Sequence, residues 1–128
     1  MPKCQLTFAV NRDIINIYFV AILTEGGKMV KHIVMWKFKE SAEGRSAAEN
    51  MELVKDRLYA LVGVIDEIKK MEVGIDISHK NGSMDLALIT EFESAEALGV
   101  YAVHPEHLKV VDLVRKVTET RVVLDYNM

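Results

Sequence analysis

Residues 30–38 read VKHIVMWKF, and this stretch determines the first element of the fold. From Val30 to Phe38, apolar side chains and one histidine occupy every second position. That is the period of a β-strand, whose successive side chains point to opposite faces. The other face carries Ile33 and Met35, with a lysine on either side of the pair. Both faces of this strand therefore bear apolar side chains that have to be covered.

The rest of the chain alternates between helical and strand periodicity. The sequence SAAE at residues 46–49 fits a capping box, in which a hydroxyl and a carboxylate close the free amides of a helix. HKNGS at residues 79–83 predicts a turn between two strands, because Asn-Gly tolerates positive φ. Pro105 interrupts the last helical stretch and is tolerated in a first turn. The predicted elements are a helix from Ser46 to about Val62, strands over Ile68–Ile77 and Met84–Phe92, a helix from Ser94 through Tyr101, a restarted helix from Pro105, and a closing strand over Arg121–Tyr126.

This order is β-α-β-β-α-β, with the second helix broken at proline. It predicts an α+β fold of the ferredoxin-like, split βαβ type. The helices of such a layer cover only one face of the sheet, yet the first strand is apolar on both faces. A second subunit packed sheet against sheet supplies the missing cover, so we expect a homodimer that forms a dimeric α+β barrel.

The composition is that of one globular domain. The chain has 128 residues, half of them hydrophobic, and a net charge of −3, which gives no electrostatic basis for binding nucleic acid or an anionic membrane. The single cysteine, Cys4, excludes an internal disulfide framework and points to a reducing, cytoplasmic compartment. The sequence contains no phosphate-binding glycine loop, no nucleotide fingerprint and no Ser-His-Asp order, so we expect no cofactor.

Residues 1–28 differ in character from the domain that follows at residues 29–128. Their longest mostly apolar run, residues 14–23, is half of the roughly 20 residues that a membrane span needs. No Ala-x-Ala cleavage pattern follows it, which argues against a secretory signal peptide. The codons for EGGK at residues 25–28 can contain a bacterial ribosome-binding sequence just upstream of the Met29 codon, so Met29 could be the native start. The segment is therefore either a translated leader or a real extension, and the intact mass of the protein from its native host distinguishes the two.

Two histidines flank the proline break. His107 could accept a proton, because a neutral imidazole titrates near physiological pH, or its ring nitrogens could satisfy the backbone at the break. His104 directly precedes Pro105 and is expected to cap the restarted helix. The two could share a metal ion at their i, i+3 spacing, but a catalytic zinc needs three protein ligands and no third is evident. We therefore expect no metal site.

Two further candidates lie on apolar elements. His32 belongs to the apolar face of the first strand, so it is either a cavity residue or a core histidine with a hydrogen-bond partner. Tyr101 could donate its phenol to a ligand oxygen or pack the helix with its hydroxyl at the surface. His79 is expected to be a solvated turn residue, and Trp36 a core residue.

Several segments together resemble the stress-responsive A/B barrel (Dabb) family. They are KHIV at residues 31–34, DLALITEF at 85–92, YAVHPEH at 101–107 and VLDY at 123–126. The resemblance covers the chain from Met29 to about residue 126 and implies a dimeric α+β barrel, in agreement with the two apolar faces of the first strand.

The resemblance also implies roles for individual residues. Most members of the family have no assigned function, but one is a plant polyketide cyclase that acts by intramolecular aldol condensation. Its catalytic tyrosine and histidine correspond to Tyr101 and His107, and a histidine on its first strand corresponds to His32. Leu86 stands where that cyclase has a further histidine, so we expect a different and less polar ligand.

Three functional hypotheses follow. The first is an enzyme of cyclase or lyase type that moves protons on a small, mostly apolar carbonyl compound in a cavity within each subunit. In it His107 is the base, Tyr101 polarises the carbonyl and His32 closes the polar end. The second is a non-catalytic ligand-binding or stress-associated dimer that uses the same cavity. The third is a cofactor-free monooxygenase of the similar dimeric barrel type, for which no residue singles out an oxygenase site.

Overall fold

The computed structural model describes residues 28–128. The prediction that residues 1–28 are a separate extension or leader lies outside the described residues, apart from Lys28, and stays a prediction. The elements of the described part are β1 (Val30–Phe38), β2 (Ser41–Ala42), β3 (Arg45–Ser46), α1 (Ala47–Tyr59), β4 (Lys70–Ile75), β5 (Leu86–Phe92), α2 (Ala95–Val103), α3 (Pro105–Val117) and β6 (Thr118–Asn127).

The main sheet has four antiparallel strands in the order β4-β5-β1-β6. The first strand, β1, therefore lies in the interior of the sheet, and the last strand, β6, pairs with it at the edge. This order, with one helix after β1 and a broken helix after β5, confirms the predicted ferredoxin-like α+β fold. Within residues 28–128 no helix is both long and apolar enough to cross a membrane.

The helices cover one face of the sheet. On β1 the alternate residues from Val30 to Phe38 are all buried, as the sequence pattern predicted. They pack with α1, α2 and α3 in one core, in which Val54, Phe92 and Val117 have no exposed surface. At roughly 25 cal/mol for each Å² of apolar surface buried, this core is the main source of stability of the layer.

The opposite face of the sheet is open in the single chain. Ile33 pairs with Leu124 and Met35 pairs with Val122 across β1 and β6, and side chains of directly paired residues lie on the same face. Leu124 is 58% exposed and Met35 is 37% exposed. The face that the helices leave free is therefore apolar along its centre.

The predicted boundaries differ from the structure in several places. The first helix was expected to reach about Val62, but α1 ends at Tyr59 and tighter turns follow to Ile65. The predicted strand over Ile68–Ile77 is shorter, at Lys70–Ile75, and the closing strand is longer, at Thr118–Asn127. The small hairpin of β2 and β3 was not predicted, because each of its strands has only two residues.

Candidate functional site

A pocket of about 550 Å³ lies between the sheet and the helices, near the edge strand β6. This volume is within the range of small-molecule sites. Its walls are mainly apolar side chains of β1, β5 and the three helices, and its polar residues come from β1, α2, α3 and β6. The polar and aromatic lining residues are His32, Trp36, Tyr101, His107, Arg115, Thr118, Glu119, Thr120 and Arg121.

The break at Pro105 determines the state of the His107 ring. In a continuous helix the Ala102 carbonyl would accept the amide of Glu106, but that amide donates to Nδ1 of His104, at 3.1 Å. The Ala102 carbonyl instead meets Nδ1 of His107, at 3.1 Å. Because a carbonyl oxygen can only accept, Nδ1 carries the hydrogen, and Nε2 of the neutral ring is left as an acceptor.

The electrostatic environment keeps His107 neutral. Burial lowers the pKa of His107 from 6.5, against the hydrogen bond to the Ala102 carbonyl, which raises it. Electrostatic interactions with His32, Arg121 and His104 lower the pKa of His107 further. The ring is therefore an uncharged base at neutral pH.

Tyr101 is the second member of the site. It is 1% exposed, and its hydroxyl is buried without a hydrogen-bond partner. Its ring centroid lies 4.2 Å from that of His107 and 6.1 Å from that of His32. Burial raises the pKa of Tyr101 well above its ordinary value, so the phenol remains protonated and can only gain by donating to an incoming oxygen.

His32 is held by a carboxylate that the sequence interpretation missed. Nδ1 of His32 donates to Oδ1 of Asp125 at 2.5 Å, between two residues that are directly paired across β1 and β6. The structure therefore gives His32 a hydrogen-bond partner and also places it in the pocket wall. The sequence pattern indicated no hydrogen-bond partner for His32, and the structure provides one in Asp125. Its pairing with His32 follows from a strand register that joins residues 93 positions apart.

The remaining sequence predictions are placed as follows. His104 caps α3 through its side chain, as predicted. His79 is a turn residue with 79% of its side chain exposed. Leu86 is a buried residue of β5. Within residues 28–128 no group of three His, Cys, Asp or Glu side chains is placed to hold a metal ion.

Trp36 does more than the predicted core role describes. It is 5% exposed and lines the pocket, but its indole Nε1 is buried without a hydrogen-bond partner. Tyr101 and Trp36 carry the two buried side-chain polar atoms that lack a partner in the described part of the chain, and both residues line the same pocket. A strand pattern shows that an aromatic residue is buried, but not whether its N–H finds an acceptor.

These features define a ferredoxin-like α+β domain with a mainly apolar pocket and a tyrosine–histidine pair in its wall. Residues 30–128 match the family described as "Stress responsive A/B Barrel Domain" (Dabb), and the chain belongs to that family. The resemblance inferred from the sequence segments is confirmed.

Individual relatives extend this comparison. Over 99 residues the chain is 32% identical to olivetolic acid cyclase of Cannabis sativa, an alignment that covers 76% of this chain and 94% of the cyclase. A crystal structure from Bacteroides fragilis, described as a dimeric protein of unknown function with a ferredoxin-like fold, is 31% identical with a TM-score of 0.70, over 78% of this chain and 96% of that one. Hydroxynitrile lyase from Passiflora edulis shares the fold, with a TM-score of 0.69 at 19% identity over 80% of this chain and 94% of the lyase.

Proposed function

We propose that this protein is a homodimeric enzyme of cyclase or lyase type, which moves a proton on a small, mostly apolar carbonyl compound in the pocket of each subunit. One observation supports this proposal most. A buried phenol without a partner lies against a histidine whose Nδ1 is engaged by the backbone, so a donor and an acceptor of protons stand side by side. A relative that is 32% identical is itself a cyclase.

The chemistry begins with removal of a proton from the carbon next to the ligand carbonyl. Nε2 of His107 takes that proton, and the Tyr101 hydroxyl donates a hydrogen bond to the oxygen on which negative charge develops. The enolate carbon then bonds to a second carbonyl carbon of the same ligand, whose C=O π electrons move onto its oxygen. That oxygen receives the proton from His107, and the base is restored.

His32 serves as a positioning residue in this scheme. Asp125 fixes its ring through Nδ1, and the ring lies edge-on to Tyr101 and Phe92 at centroid distances of 6.1 and 6.3 Å. His32 lies on the strand β1 in the interior of the sheet, and it contacts the tyrosine ring from there. A fixed wall of this kind keeps the donor within reach of one ligand oxygen.

The homodimer is the second part of the proposal. The apolar centre of the open sheet face supports it, as does the dimeric description of the Bacteroides fragilis protein. Burying such a face in a stable dimer commonly removes more than about 2,000 Å² of surface from water.

The test measures hydrogen–deuterium exchange next to the carbonyl of 3-decanone in D₂O by NMR. We expect the protein to accelerate exchange, and His107→Gln to lower the rate by roughly 10²–10⁴-fold with an unchanged circular dichroism spectrum. His79→Gln, which alters an exposed turn histidine, is the matched control and should leave the rate unchanged. Equal exchange rates in the wild type and His107→Gln would contradict the proposed base.

Leu86 favours a second candidate function, a non-catalytic ligand-binding dimer. This buried leucine stands where the family resemblance implies a histidine in the cyclase, so a polar group of that kind is absent from the β5 wall. Saturable binding of 3-decanone with no acceleration of exchange would favour this function over the enzyme.

A further inference from the structure

The pocket has a second polar region at the position of Trp36. An indole N–H can only donate, and here the group is buried without an acceptor, which costs free energy that an acceptor on a ligand would recover. Trp36 lies four residues from His32 along β1, which corresponds to about 13 Å of strand. The Trp36 region is therefore distinct from the tyrosine–histidine end of the pocket.

Arg121 lies beside Trp36. The two residues are directly paired across β1 and β6, so their side chains share the helix-covered face, with Cβ atoms about 5 Å apart. Both line the pocket. Arg121 makes no hydrogen bond or ion pair among the contacts of residues 28–128, in contrast to Lys116, which pairs with Asp112 nearby on α3.

The charge of this region is positive. Arg115 and Arg121 both line the pocket, against one acidic lining residue, Glu119. Glu119, Arg115 and Arg121 are all exposed. Glu119 is the extra residue of a bulge, because Lys37 pairs with Thr120 while Phe38 pairs with Thr118. The region thus offers donors and positive charge but few acceptors, which suits an anionic oxygen group.

We propose that Trp36 and Arg121 form a carboxylate subsite, and that the ligand is an elongated oxo acid. Its carboxylate is bound by the indole N–H and the guanidinium. Its carbonyl lies at the other end of the pocket, at Tyr101 and His107. The position of the carbonyl rests on the proposed function, whereas the carboxylate subsite rests on Trp36 and Arg121 alone.

The test compares two probes that differ only at one end. In 8-oxodecanoic acid a carboxyl group replaces the terminal methyl of 3-decanone, and the ketone is the same. Calorimetric titration of the full chain should give an affinity for the acid at least about tenfold higher than for the ketone. Arg121→Gln should bring this ratio close to one, and Trp36→Phe should lower it several-fold. Arg57→Gln removes the same charge from an exposed position on α1 and should preserve the ratio.

A ratio near one in the wild type, an acid that does not bind at millimolar concentration, or an equal loss in Arg57→Gln and Arg121→Gln would overturn the subsite. Because the readout is a ratio, a general loss of affinity caused by repacking around Trp36→Phe does not imitate the expected result. If the acid preference depends on Arg121 but neither probe undergoes exchange, the proposed chemistry fails and the subsite stands.

Discussion

The two faces of the sheet differ although they belong to the same four strands. On the helix-covered face, β1 contributes buried side chains and the pocket wall, and Val34 is 2% exposed. On the open face, the neighbouring positions Ile33 and Met35 meet Leu124 and Val122 of β6, and Leu124 is 58% exposed. The comparison shows that the helices of the same chain cover the face that carries the candidate site, while the other face leaves apolar side chains exposed.

The strongest test of this difference places a charge on the open face. Leu124→Asp should dissociate the dimer, since an unpaired carboxylate in an apolar interface costs roughly 3–5 kcal/mol. The single chain should stay folded, because Leu124 is more than half exposed in it. Sedimentation velocity at micromolar concentration measures the change.

Val64→Asp is the matched control for that variant. Val64 is 54% exposed but lies outside the main sheet, so the same substitution should leave the oligomeric state unchanged. A wild-type protein that sediments as a folded monomer at this concentration would rule out the barrel.

On the covered face, Tyr101→Phe tests whether the buried hydroxyl of Tyr101, which has no hydrogen-bond partner, lowers the free energy of unfolding. Removing a buried hydroxyl that has no partner should raise the free energy of unfolding by about 1 kcal/mol, while exchange of 3-decanone falls. Tyr59→Phe is the opposite case, because its hydroxyl accepts the Val73 amide at 2.9 Å, and this variant should lose about 1 kcal/mol. Urea unfolding measures both changes, and destabilisation of both variants would show that the Tyr101 hydroxyl is satisfied in the folded protein.

The smallest expected effect is a pH dependence from His107. Burial lowers the pKa of His107 in the folded state below 6.5, so below pH 6.5 the unfolded chain takes up a proton that the folded chain resists. The free energy of unfolding should therefore fall as the pH drops from 6.5 toward the folded-state pKa, and His107→Gln should lack this part of the decline. Urea unfolding of both proteins at pH 7.5 and pH 5 measures it, and parallel declines would contradict a lowered pKa.

Local patterns in the sequence predicted the parts of the molecule that depend on neighbouring residues. The alternation over residues 30–38 assigned the buried face of β1 correctly, and the capping box of Ser46 and Glu49 is present in the structure. The cap that His104 provides is also present, because it depends only on Pro105 and the following turn. These features need no knowledge of distant contacts.

The features that were missed depend on register. Asp125 meets His32 only because β6 pairs with β1 in one alignment, and a shift of one residue would turn it to the other face. The same applies to Arg121 beside Trp36, which is separated from it along the chain by almost the whole domain.

The helix break between Ala102 and Glu106 also separates the tautomer of His107 from the shape of the pocket, two properties that side chains usually determine together. The main chain determines the tautomer of His107, because the break leaves the Ala102 carbonyl available to accept a hydrogen bond from Nδ1. No acidic side chain is needed for this. Substitutions in the apolar walls, at Val34 or Leu86 for example, can change the shape of the pocket without disturbing that hydrogen bond. Such a scaffold can diverge in the molecules it accepts while inheriting the same proton acceptor.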